Sequence, residues 1–94
     1  MLEKDVEKKV CDYAKEKGIL VYKFTSPARS AVPDRLMILN GKVWFIEFKR
    51  PGAKPTPPQE REHQRLRAAH VHVWVIDDVT KGKEMVDWYA ATNA

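Results

Sequence analysis

Two carboxylates and an ammonium group, Asp34, Glu47 and Lys49, are spaced so that one hairpin would gather them. Asn40-Gly41 lies between the apolar runs 36–39 and 43–48, the strongest short-range signal for a two-residue β-hairpin. The register that sets Leu39 opposite Lys42 also sets Asp34 opposite Glu47, on one face of the ribbon. Lys49, two residues beyond Glu47, points to that face as well. Like charges placed opposite each other destabilise a sheet by about 0.2–1 kcal/mol when exposed. A chain that keeps both carboxylates there is expected to neutralise them with a cation.

A hard divalent cation such as Mg²⁺ or Mn²⁺ takes one or two carboxylates together with waters and substrate phosphate. Such an ion lowers the pKa of water, polarises a phosphoryl oxygen and orients the substrate. Lys49 is placed to position or deprotonate the water, or to offset charge developing on the phosphate. The plain alternative is a pair of charged strand residues with a surface lysine. The matching register, Pro33 before Asp34, and a polar group on an otherwise apolar strand favour the metal site.

The elements that must hold this trio follow from periodicity. Residues 3–17 read as a helix with Val6, Val10, Tyr13 and Ala14 at helical spacing, stopped by Gly18. Residues 19–24 are β-branched and aromatic, a strand, and 26–32 (SPARSAV) form a loop. The hairpin spans about 35–49, with Val43, Phe45 and Glu47 on one face and Trp44, Ile46 and Phe48 on the other. Both faces are largely apolar, as expected of a central strand covered on two sides.

The segment 51–58 (PGAKPTPP) breaks the strand, and Thr56 and Pro57 then read as N-cap and first position of a second helix ending near 69. A strand at 71–76 and a helix at about 80–91 complete the order α-β-β-β-α-β-α. Short connections imply one compact α/β domain over 1–94, a mixed sheet with a central hairpin flanked by helices.

Composition sets limits. The chain has 94 residues, 44% hydrophobic and 32% charged, suiting one soluble domain with a single small core. No apolar run reaches the roughly 18–20 residues of a membrane span and no secretory signal opens the chain, so no membrane partner and a cytoplasmic setting are expected. Seventeen Lys and Arg against thirteen Asp and Glu give a net charge of +4, which permits a nucleic-acid partner without requiring one. Cys11 lies on the apolar stripe of the first helix and reads as a buried structural thiol. His63, His70 and His72 invite a zinc reading, but no cysteine pattern accompanies them and their spacing is poor. The three tryptophans occupy apolar positions and read as packing residues.

Pro33-Asp34 followed by Glu47-x-Lys49 matches the signature of the PD-(D/E)xK nuclease superfamily. The stretch SPARSAVPDRLMILNGKVWFIEFKRPGAKPTPPQ resembles the VRR-NUC family in particular, the small stand-alone type found in phages and bacteria. The resemblance implies a restriction-endonuclease-like αβββαβ core and metal-dependent hydrolysis of DNA phosphodiesters. It also implies a homodimer acting on branched or Holliday-junction DNA. Asp34 and Glu47 would bind Mg²⁺ or Mn²⁺ with the main-chain carbonyl of Phe48, and Lys49 would be the catalytic lysine. The family's helix-one glutamate corresponds to Glu7, with Glu3 and Asp5 as nearby competitors.

Gln59 matches the family's glutamine at the start of the next helix, although Thr56-x-x-Gln59 is also a capping box, and the two roles compete for one side chain. Lys23, Arg29, Arg35, Arg50 and Lys54 lie where they could contact phosphates without reading sequence; Arg61, Arg65 and Arg67 are weaker candidates. A catalytically silent DNA-binding or partner-binding module on the same fold is the competing reading. The intact Asp34, Glu47 and Lys49 favour an enzyme.

Overall fold

The computed structural model describes residues 1–92 and orders seven elements along the chain. They are α1 (Glu3–Glu16), β1 (Leu20–Lys23), β2 (Arg35–Leu39), β3 (Lys42–Phe48), α2 (Pro57–Ala68), β4 (His72–Ile76) and α3 (Val79–Thr92). Their order and type agree with the sequence-based expectation, with element ends moved by a residue or two. The strands form a single sheet in the order β1-β2-β3-β4. The first three are antiparallel neighbours, and β4 runs parallel to β3 because α2 makes the crossover between them. No helix among the described residues is long and apolar enough to cross a membrane.

The hairpin closes on Asn40 (φ 48°) and Gly41 (φ 82°), both in the left-handed region that a tight two-residue turn demands. The ladder runs from Leu39 opposite Lys42 to Arg35 opposite Ile46, the register expected from the sequence. Asp34 and Glu47 are its next step.

The core lies on one side of the sheet. Val6, Val10 and Ala14 of α1 and Met85, Val86 and Tyr89 of α3 pack with Met37, Trp44, Ile46, Phe48 and Ile76 from the strands. Trp44 stacks on Tyr89, ring centroids 3.5 Å apart and planes 5° from parallel. Cys11 is part of this cluster, as expected, and burial pushes its thiol up to about 11. At Gly82, α1 and β4 come so near that a Cβ would overlap the side chain of Val10 and press on that of Ile76.

The opposite face differs from the expectation of cover on both sides. Val43 is 46% exposed, and cover grows along β3 until Glu47 is buried. The helix responsible is α2, whose buried residues are Glu62 and His63, both polar. Apolar residues are the usual occupants of a buried helix face. Here the helix instead turns polar groups toward the end of the sheet that carries the carboxylates.

Candidate metal and catalytic centre

Asp34 is held from both sides by backbone. Its carbonyl accepts the N–H of Phe24 at 2.9 Å, which continues the β1–β2 ladder past Lys23. Its Oδ2 accepts the N–H of Phe48 at 2.9 Å, one residue after Glu47. The carboxylate therefore bridges the point where β2 and β3 part, and Pro33, fully buried, restricts the chain just before it. Lys49 is fixed in turn, because its N–H donates to the carbonyl of Ile76 on β4 at 2.9 Å.

Glu47 is 2% exposed at the centre of the site. Its Oε2 lies 3.3 Å from Gln59 Nε2, which donates to it, and 3.9 Å from Lys49 Nζ. Its Oε1 is buried without a hydrogen-bond partner, 3.9 Å from His63 Nε2. Burial, then the charge of Asp34, raises the Glu47 carboxyl to about 8, against the opposing pull of Lys49. The fold thus places two carboxyl groups where ionising both is disfavoured and Lys49 does not offset the cost. Burial also lowers the pKa of His63, with Arg67 adding to the effect, so the 3.9 Å approach is between a carboxyl group and a neutral imidazole rather than an ion pair.

Gln59 makes a contact at the helix cap and a contact with Glu47 at the same time. Its Oε1 accepts the N–H of Thr56 at 2.9 Å and Thr56 Oγ1 accepts the N–H of Gln59 at 3.3 Å, a complete capping box. The other end of the same amide, Nε2, reaches Glu47. An amide has a separate acceptor and donor, so the two contacts coexist.

On α1, Glu7 binds Arg35, with Oε2 2.6 Å from Nε. Asp5 caps the start of α1, accepting the N–H of Leu2 at 3.1 Å. Glu3 lies close enough to Glu47 for its charge to help raise that carboxyl.

The basic residues divide in the same way. Arg35 is taken up by Glu7, and Arg29 binds the nearly buried Glu62 at 3.2 Å, where Arg65 also approaches at 3.4 Å. Arg67 donates to the carbonyl of Val73 at 2.8 Å. Lys23, Arg50 and Lys54 are exposed. The histidines are dispersed: His63 faces Glu47, His70 follows the end of α2 with φ 66°, and His72 Nδ1 lies 2.7 Å from the hydroxyl of Tyr89.

Sequence reasoning did not find the inward roles of Glu62 and His63. A signal was available, because His63 follows Gln59 by one helical turn and so shares its face.

Comparison with known proteins agrees with this geometry. The chain matches no protein-family model. It superposes on a solved VRR_NUC domain with a TM-score of 0.84 at 35% identity, over 93% of this chain and 96% of that one. The chain belongs to the VRR-NUC family. It is also 50% identical, over 76 residues, to p44 of Acyrthosiphon pisum secondary endosymbiont phage 1, a protein named as a nuclease. That match spans 80% of this chain and 82% of p44. In this VRR-NUC chain the Pro-Asp pair, the Glu-x-Lys strand and the helix-start glutamine converge on one spot, at the end of the sheet where β2 and β3 separate.

Proposed function

We propose that this chain is a divalent-metal-dependent DNA endonuclease that acts as a homodimer on branched or junction DNA. The observation that carries the reading is the buried Glu47, its carboxyl raised to about 8 beside Asp34, with one oxygen lacking any partner. Such a pair fits a hard cation. Among the described residues no three Asp, Glu, His or Cys side chains group as metal ligands, which disfavours a Zn²⁺ cage. Mg²⁺ or Mn²⁺ needs only one or two carboxylates, the rest of its shell being water and phosphate. Asp34, Glu47 and the carbonyl of Phe48 would hold it.

Bound there, the ion would neutralise the carboxylates, activate water and polarise the scissile phosphate. Asp34 would meet the ion beside Glu47 while its Oδ2 accepts the Phe48 amide. Lys49, its side chain 14% exposed and close to Glu47, would orient the attacking water and offset charge that develops on the phosphate. Gln59 would hold Glu47 in place from α2. Glu7 would act through Arg35, steadying the strand that follows Asp34 rather than ligating directly. The exposed Lys23, Arg50 and Lys54 would contact the DNA backbone, with Arg29 and Arg35 contributing what Glu62 and Glu7 leave free.

For the dimer, Trp88 is the candidate contact, 47% exposed beside an apolar groove of about 640 Å³ along the open edge of β4. Tyr89, its neighbour on α3, is 2% exposed and stacked in the core, so it does not reach such an interface.

Labelled four-way junction, fork and linear duplex, incubated with Mg²⁺, Mn²⁺ or EDTA, test the proposal. Metal-dependent cleavage of the branched substrates, lost in Asp34→Ala and Glu47→Ala, is expected. Cleavage that survives EDTA or either substitution contradicts it. Binding without cleavage in every metal would establish a silent DNA-binding module instead, and discrete fragments from long duplex a sequence-reading enzyme.

A further inference from the structure

His63 is fully buried, yet neither ring nitrogen has a hydrogen-bond partner. Glu47 Oε1 is orphaned at the same place, 3.9 Å from His63 Nε2. A buried polar atom left unpaired costs about 1–3 kcal/mol, so a site that tolerates three of them together is poorly explained as packing. An apolar side chain of similar volume would serve packing better. The gap of 3.9 Å is too long for a hydrogen bond and too short to admit a bridging water. A small movement of either side chain would make it a direct contact.

Helix geometry explains why His63 is the residue at this place. Gln59 and His63 are one turn apart on α2, and they face the two oxygens of Glu47 separately: Gln59 Nε2 toward Oε2 and His63 Nε2 toward Oε1. Each carboxylate oxygen retains a further lone pair for a cation.

Resting on the metal-site reading above, we infer that His63 is a positioning residue for Glu47: with Glu47 ionised and the cation bound, its Nε2–H donates to Oε1. The two contacts from α2 then fix the carboxylate's rotation, so that Glu47 meets the cation already oriented. The proton sits on Nε2 and Nδ1 is the unprotonated nitrogen. No bond to substrate is involved, and His63 does not enter the reaction itself.

Calorimetric titration of the full chain with Mn²⁺, together with metal-free melting, separates this role from packing. Wild type, His63→Phe, His63→Leu and His63→Gln are compared. The apolar variants should melt without metal at or above the wild-type temperature, since an orphaned polar group has been removed. They should bind Mn²⁺ about 10- to 100-fold more weakly, the usual cost of losing an outer-shell partner. His63→Gln, which keeps a donor, should recover most of the affinity. Apolar variants that bind Mn²⁺ like wild type, or that both fail to fold, overturn the inference. No Mn²⁺ binding by wild type would instead contradict the metal site, and this inference with it.

Discussion

Glu47 combines an acidic side chain with surroundings that disfavour its charge, and this has a measurable consequence without metal. Its carboxyl is raised from 4.5 to about 8 by burial and by Asp34. A raised acid makes the folded state hold a proton that the unfolded state releases, so its contribution is greatest below about 4.5 and is lost as pH climbs toward 8. Metal-free melting temperature should therefore fall across that interval, and Glu47→Gln should fall less. Equal slopes for the two proteins would show that Glu47 is not the group responsible.

The double use of Gln59 yields a second residue-scale expectation. Thr56→Ala removes only the cap, and should cost about 1 kcal/mol of stability with little change in turnover once folded. Gln59→Ala removes the cap contact and the hold on Glu47 together, and should lower both melting temperature and cleavage rate. Matching effects of the two substitutions on cleavage would mean that Gln59 acts only as a cap.

The elements were largely legible in the sequence, and the reasons are local. Asn40-Gly41 dictates the turn, the turn dictates the register, and the register brings Asp34 to Glu47 without help from the rest of the chain. The periodic apolar residues of α1 and the Thr56-Pro57 start of α2 likewise signal themselves. What escaped depended on contacts between elements distant in sequence. Pairing of Glu7 with Arg35 and of Arg29 with Glu62 requires knowing how α1 and α2 lie on the sheet. The polar inner face of α2 offers no hydrophobic period from which to read its orientation.

Gly82 is another such case, since only the packed structure reveals how near α3 passes to Val10 and Ile76. Alanine there would gain roughly 1 kcal/mol of helix propensity but overfill the core at about 1–3 kcal/mol. The expected outcome is a lower melting temperature for Gly82→Ala, checked by thermal denaturation; a rise would mean that α1 and α3 can separate freely.

At the scale of the molecule, the core helices α1 and α3 cover one face of the sheet while α2 shields only the carboxylate end of the other. On the proposed function, the remaining open face and the β4 edge would receive DNA and a second copy. Exposed Trp88 beside the β4 edge makes the dimer testable by sedimentation: wild type should be dimeric at micromolar concentration and Trp88→Glu monomeric. A monomeric wild type would count against the homodimer.

On the proposed function, Asp34 and Glu47 hold a metal that enables DNA cleavage. This role is tested most directly by cleavage of a labelled four-way junction by wild type and Asp34→Asn, each with Mg²⁺ and with EDTA. Wild type should cleave in Mg²⁺ alone, with EDTA or Asp34→Asn each abolishing cleavage. Equal cleavage by Asp34→Asn, or cleavage undiminished by EDTA, would contradict this role.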